Sequence, residues 1–290
     1  MSLILNSPCK VNLLLNILKR RPDGFHELET LFQPVPFHDV LHFEAGESGV
    51  QLSCSKPELP TDHTNLVHRA ATAFLQAIGT REGARIHLEK RLPIAAGLGA
   101  GSANAAVTLK GLNSVFNHPL SEVDLNQIAS TLGSDVPFFL QDGPAIGTGR
   151  GECITPIQSF SCLKGTAVLL IRPDFGISTA WAYSALQKHP EALNGRQGCA
   201  LKLVRILEQG NLKGAQSFMF NSLEVPVFHK YPILALLKEF LLENGAEMAL
   251  MSGSGSTSFA VAPTLGAAEL LRSKVIERFG HTNWTAVAEL

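Results

Sequence analysis

The chain has 290 residues, a formal net charge of −1, 45% apolar residues and 17% charged ones, which is the composition of a soluble globular protein long enough for two domains or one large one. Near-neutral charge argues against the basic face of a nucleic-acid binder, and the one notable basic run, Lys19-Arg20-Arg21, abuts Pro22-Asp23-Gly24 and reads as a solvated turn. Five cysteines (Cys9, Cys54, Cys153, Cys162, Cys199) with no C-x-x-C pair, no apolar run of membrane-spanning length and no signal-peptide pattern in MSLILNSPCK lead us to expect a reduced, cytoplasmic protein without a membrane partner.

In chain order, SPCKVNLLLNI (7–17) reads as a buried strand interrupted by Lys10 and Asn12. Leu41 and Phe43 alternate with His42 and Glu44 as a half-buried strand does. Residues 61–78 read as a helix that Thr61 or Asp62 can cap and Gly79 can stop. Ile86 and Leu88 alternate with Arg85, His87 and Glu89, giving a strand that feeds LPIAAGLGAGSANAA (92–106). Gly97, Gly99 and Gly101 sit there at alternate positions before a helix expected from about Ser102, with Leu109, Leu112 and Phe116 on one face. Glycines so spaced let the backbone turn sharply and leave N–H groups bare, and the helix points its positive end at the turn. That suits an anion, above all phosphate; a plain glycine-rich turn is the alternative. No lysine follows the glycines, which excludes a Walker A loop, and Ser102 stands where the dinucleotide fingerprint needs glycine.

Ser121 and Asp124 form a capping-box pattern, Leu125, Ile128, Ala129 and Leu132 follow at helical spacing, and Gly133 ends the helix. Asp135 therefore falls in a short connection, a usual place for a working carboxylate. Farther on come a strand at 167–171, helices at about 178–188, 200–208 and 229–243, and a strand at 246–251. A second glycine-serine turn, SGSGS (252–256), another strand, a helix at 265–279 and a final strand at 283–288 complete the chain. The boundary falls near 150–165, giving domains of 1–155 and 156–290, with a return of the final strand to the first domain left open. No repeat or low-complexity segment is present.

His26-Glu27 lacks the second histidine of a zinc helix, no G-x-S-x-G exists, and the ten histidines show no ligand spacing. What stands out is polar residues in apolar surroundings. Lys10 is costly inside a strand unless it is paired or functional, or else it lies at a frayed edge and reaches water. Asp135, in LGSDVPFFL, is either a working carboxylate or a helix-start residue. A lysine and an aspartate beside a phosphate loop would suit phosphoryl transfer, one stabilising negative charge and the other accepting a hydroxyl proton.

The order S-P-C-K-V-N, glycine loop, G-S-D-V-P, S-G-S-G resembles the GHMP kinases, which include galactokinase and the homoserine, mevalonate and phosphomevalonate kinases. RPDGFHELETLFQPV (21–35), AIGTGRGE (145–152) and PDFGISTAWAY (173–183) resemble one member acting in isoprenoid precursor biosynthesis, and the likeness spans nearly the whole chain. It implies an α+β fold of two domains, the first like ribosomal protein S5 domain 2 and the second ferredoxin-like, with substrates meeting in the cleft between them. It implies ATP-dependent phosphorylation of the 2-hydroxyl of a methylerythritol unit in a cytidine-diphosphate polyol.

The family's catalytic pair carries over to Lys10 and Asp135, with Asn12 holding the methylerythritol end. His26 would bond the cytosine edge, and Phe25 would stack on the ring where the family commonly has tyrosine. Thr179 would touch the substrate. Tyr183 would be the second stacking ring, with Trp181 as the other choice and simple helix packing as the alternative. ATP would lie against Asn65, Leu66, Pro93, Ala95, Ala96, Gly97, Leu98, Gly99, Ala100, Gly101 and Ser102, although Asn65 could equally be a helix-turn residue. Magnesium is expected with the nucleotide. The superfamily often has two serines directly after G-L-G, but Ala100 and Gly101 stand there and Ser102 comes one step late, so no protein ligand is assigned. Another small-molecule kinase of the superfamily is the alternative, and a non-catalytic nucleotide-binding relative is a further one; the latter would have lost Lys10 or Asp135, and neither is lost. The sequence gives no oligomeric state.

Overall fold

A computed structural model describes residues 2–193 and 195–290. The chain forms two compact units that interleave along the sequence. Among the described residues, the first comprises 2–9, 37–92 and 99–142, the second 10–36, 93–98, 143–193 and 195–290. Two long strands that pair with each other, β1 (Ser2–Arg20) and β2 (His26–Gly46), contribute residues to both.

In the first unit, Val40–Gly46 of β2 runs antiparallel to β4 (Gly83–Glu89), and β3 (Val50–Cys54) lies parallel to β4. The expected alternation holds: Leu41, Phe43, Ile86 and Leu88 are buried, whereas His42, Glu44 and His87 are only partly so. The helix expected over 61–78 is α1 (Leu66–Ile78). It starts late because Asp62 Oδ1 accepts bonds from Thr64 N (2.9 Å) and Oγ1 (2.6 Å), closing a local turn that competes with helix, so Asn65 becomes the cap. Gly79 ends it in the left-handed conformation. Helix α2 (Ala100–Val115) is buried almost all round and packs against α1. Gly111 lets the Phe43 ring lie on the α2 backbone, where a Cβ would meet ring atoms at 2.5 Å. Helix α3 (Glu122–Leu132) carries the full Ser121/Asp124 capping box and ends at Gly133.

In the second unit, Thr30–Phe32 of β2 pairs with β5 (Ala145–Thr148), which pairs with β6 (Cys153–Pro156). Residues 11–17 of β1 are buried on both faces, which is why Val11, Leu13, Leu14, Leu15 and Ile17 do not alternate with exposed polar residues. A second, antiparallel sheet has the order β10-β7-β9-β8, from β7 (Ala167–Arg172), β8 (Met248–Met251), β9 (Ser258–Ala262) and β10 (Trp284–Glu289). The final strand thus pairs with β7 in the register Trp284↔Arg172 to Glu289↔Ala167.

The helices of this unit are α4 (Thr179–Ala185), α5 (Cys199–Glu208), α6 (Leu212–Gln216), α7 (Glu224–Lys230), α8 (Pro232–Glu243) and α9 (Leu265–Phe279). The single helix expected at 229–243 is two, because Pro232 drives Tyr231 out of helical geometry (φ −126°, ψ 71°) and opens α8 instead. Leu169 and Ile171 form one core with Leu237, Leu241, Leu271 and Val275. Leu15, Ile17 and Leu28 form another with Ile177, Leu186, Leu223, Val227 and Leu234.

Candidate active site

Lys10 does not reach water from a frayed edge: it is 2% exposed. Its Nζ donates to Asn12 Oδ1 (2.7 Å) and to the Gly97 carbonyl (3.2 Å), and stands 5.6 Å from the Phe32 ring centre. A strand alternates, so residues 10 and 12 share a face. Asn12 is fixed in turn, its Nδ2 donating to Thr30 Oγ1 (2.8 Å), whose hydroxyl donates to the Leu14 carbonyl (2.6 Å). The lysine is thereby held at the glycine loop by side chains of two paired strands.

The loop itself is built by close backbone approach. Gly97 has φ +76°, and a Cβ there would lie 2.1 Å from the Ser252 carbonyl, so only glycine fits. Ser252 Oγ donates to the Gly97 carbonyl (3.0 Å) and Thr257 N to the Ala96 carbonyl (3.3 Å), docking the second glycine-serine turn onto the first. Asn221 steadies that turn, donating to the carbonyls of Met251 (2.8 Å) and Gly253 (2.7 Å). Ala95 also adopts a positive φ of +52°. Of the three alternating glycines only Gly97 and Gly99 are left-handed; Gly101 already belongs to α2, which starts at Ala100 and not at Ser102. Gly99 caps α2 without a side chain, leaving the first-turn N–H groups to solvent or an anion.

The stems of the loop are anchored within the first unit by Asp39, which sequence reasoning missed. Its Oδ1 accepts from the N–H groups of Arg91 and Leu92 (both 2.8 Å); its Oδ2 accepts from Lys90 Nζ and from Asn104 Nδ2 (3.0 Å), which also donates to Ser7 Oγ (2.9 Å). One fully buried carboxylate so ties the residues entering the loop to the helix leaving it. Its signal was available: Asp39 and Asn104 are polar residues in apolar runs, as Lys10 is.

Asp135 lies in the first unit, half-buried between α3 and the 3₁₀ turn Pro137–Leu140, whose start Val136 occupies instead. Asn65 is the N-cap of α1, its Oδ1 accepting from Val67 N (2.9 Å). Leu66 begins that helix, its Cδ1 3.8 Å from where a Gly101 Cβ would stand.

His26 opens β2, and its ring centre is 5.4 Å from that of Tyr183 on α4. Trp181 instead meets Tyr231 edge-on at 5.9 Å, with Lys230 4.1 Å over it, so of the two rings Tyr183 is the one brought to His26. Burial, reinforced by the Arg20 charge, holds the His26 imidazole below its ordinary pKa and hence neutral at pH 7. Phe25 is 52% exposed, and the Arg150 guanidinium sits 4.9 Å over its ring. Thr179 Oγ1 is bonded to Ser254 Oγ (2.9 Å), linking α4 to the second glycine-serine turn. Glu29, within the same motif as His26, is structural: it accepts from Asn16 Nδ2 (2.8 Å), Gly198 N (2.9 Å) and Cys199 N (2.7 Å), placing a carboxylate at the positive end of α5.

A glycine loop with a bare helix start and a buried lysine bonded to its backbone suits phosphate chemistry, and the comparisons point to a class of small-molecule kinases. GHMP kinases N terminal domain matches residues 65–143 and GHMP kinases C terminal matches residues 202–281. A 4-diphosphocytidyl-2-C-methyl-D-erythritol kinase of Synechococcus sp. (strain JA-3-3Ab) is 38% identical, over 93% of this chain and 88% of the relative. One of Pelotomaculum thermopropionicum is 40% identical over 91% of both. A crystal structure of 4-(cytidine 5'-diphospho)-2C-methyl-D-erythritol kinase superposes with a TM-score of 0.81 at 32% identity, covering 99% of this chain and all of that one. The chain belongs to the 4-diphosphocytidyl-2-C-methyl-D-erythritol kinase family of GHMP kinases. Among the described residues no helix is long and apolar enough to cross a membrane.

Proposed function

We propose that this kinase transfers the γ-phosphoryl group of ATP to the 2-hydroxyl of 4-diphosphocytidyl-2-C-methyl-D-erythritol, in the cytoplasm. The observation that carries the reading is Lys10: a buried ammonium held by Asn12 and by the carbonyl of Gly97 in the glycine loop. Asp135 takes the hydroxyl proton, the freed oxygen attacks the γ-phosphorus, the bond to the β–γ bridging oxygen breaks, and ADP leaves. Lys10 stabilises the charge that gathers on the transferring group. Residues 95–102 with Pro93, Asn65 and Leu66 are assigned to ATP, and Asn12, Phe25, His26, Thr179 and Tyr183 to the cytidine substrate. The neutral imidazole of His26 keeps one donor and one acceptor for a base edge.

Among the described residues no group of three histidine, cysteine, aspartate or glutamate side chains is placed to hold a metal ion. Magnesium needs no such cage, since it keeps waters and binds largely through substrate phosphates; the site therefore fits a cation that arrives with the nucleotide, where it neutralises phosphate charge. Along the sequence the proposed domain limits remain 1–155 and 156–290, while the compact units of the fold interleave across that boundary.

A coupled ADP-release assay offering each alcohol tests the assignment. Turnover of the cytidine substrate, with none for homoserine or mevalonate, is the expected result. Turnover of either of those without the cytidine compound would overturn it.

A further inference from the structure

Phe25 is an aromatic ring more than half exposed, at the tip of a turn whose backbone is hydrogen-bonded. Arg21 N donates to the Phe25 carbonyl (2.7 Å), Phe25 N donates to Asp23 Oδ1 (3.1 Å), and Arg21 pairs with both Asp23 (3.1 Å) and Glu27 (3.0 Å). The ring, however, has no polar atom with which to hold itself. An exposed aromatic side chain of that kind changes rotamer freely unless something packs on it.

What packs on it comes from the hairpin between β5 and β6. Arg150 places its guanidinium 4.9 Å from the ring centre. Glu152, two residues on, accepts from both Arg150 N (2.6 Å) and Arg150 Nε (3.2 Å), so the arginine is held at backbone and head. Both side chains are less than one third exposed, unlike an ordinary surface pair. Leu28 N donates to the Gly149 carbonyl (2.8 Å), fixing this hairpin to the strand that begins beside Phe25.

Resting on the substrate assignment above, we infer that Arg150 is a positioning residue for the base of the cytidine substrate. Its planar guanidinium backs one face of Phe25 and leaves the other face flat and fixed for the pyrimidine. The stack is then guanidinium, phenyl ring, base. A planar cation serves better here than an ammonium, because it stacks as well as attracts. Arg150 acts through Phe25 and touches neither the reacting hydroxyl nor ATP.

Steady-state kinetics on the full-length protein separate the possibilities. Arg150→Ala should raise KM for the cytidine substrate by about three- to tenfold, as loss of a cation–π contact would, with kcat and KM for ATP unchanged. Arg150→Met, which keeps the alkyl stem, gives the same readout where alanine destabilises the fold. Phe25→Ala should raise that KM further, and adding Arg150→Ala to it should change nothing more. An unchanged KM in Arg150→Ala overturns the inference, as does a lower one, which would put the guanidinium where the base belongs. A full Arg150→Ala effect in the Phe25→Ala background also overturns it, since the arginine would then act on substrate directly. A wild-type protein inert toward the cytidine substrate overturns the assignment itself; a wild type that turns over beside any of the other contrary results overturns this inference alone.

Discussion

The roles proposed for Asp135 and His26 each belong to a single side chain, and each can be tested as one. Asp135→Asn keeps the size and hydrogen-bonding reach of the side chain but cannot take a proton at neutral pH. Turnover should fall by about 10²–10⁴-fold, the usual contribution of a general base, while calorimetry shows near-normal affinity for both substrates; a near-normal kcat would remove Asp135 from that role. His26 makes a pH prediction whose sign is set by its environment. Desolvation and the Arg20 charge both disfavour the imidazolium, so the pKa lies below 6.5 and the ring stays neutral on the alkaline side. Affinity for the cytidine substrate should be flat from pH 7 to 8 and fall as pH drops through that lowered pKa, where the ring's acceptor is lost. His26→Ala should bind more weakly and show no acid limb; an acid limb that persists would assign the titration to another group.

At the scale of elements, the glycine loop is where backbone geometry bears most directly on the proposed function. In Gly97→Ala the new Cβ would collide with the Ser252 carbonyl, 2.1 Å away, and both partners are main chain. The left-handed φ adds about 1–2 kcal/mol of strain for a residue with a Cβ. The loop must therefore move, and Lys10 loses the carbonyl that holds it. Turnover should drop at least tenfold with a higher KM for ATP and a melting temperature several degrees lower, whereas Gly101→Ala, whose Cβ meets only Leu66 Cδ1 at 3.8 Å, should melt close to wild type; equal losses in the two variants would refute this account. These elements also mark what sequence could reveal. The strand holding Lys10, the strands around Phe43 and Ile86 and the capping box at Ser121 were legible because period and cap chemistry are local signals. The late start of α1 and the break at Tyr231 were missed, although Asp62 and Pro232 carry the local chemistry that explains them. Asp39 was missed for a different reason: its partners Lys90, Arg91, Leu92, Asn104 and Ser7 are scattered over about a hundred residues, and only the folded chain brings them to one carboxylate.

For the molecule as a whole, order along the chain and order in space part company. The family matches divide the sequence into an earlier and a later stretch, 65–143 and 202–281, yet the second compact unit also owns residues 10–36. Leu15, Ile17 and Leu28 from that early segment sit in one core with Ile177, Leu186, Leu223, Val227 and Leu234. Leu15 also exchanges backbone bonds with residues 220–222, and Glu29 caps α5. Burying three such side chains contributes about 5–9 kcal/mol at roughly 1.5–3 kcal/mol each, comparable with the whole stability of a typical domain, about 5–15 kcal/mol. A fragment of residues 156–290 should therefore keep helical far-ultraviolet circular dichroism but lose its near-ultraviolet signal and melt without a cooperative step. Mixing it with a fragment spanning 1–155, which carries Leu15, Ile17, Leu28 and Glu29, should restore the cooperative transition. If residues 156–290 alone melted cooperatively, the early strands would be ornaments on a finished core, and the buried Lys10 would sit on a segment that the later half of the chain does not need in order to fold.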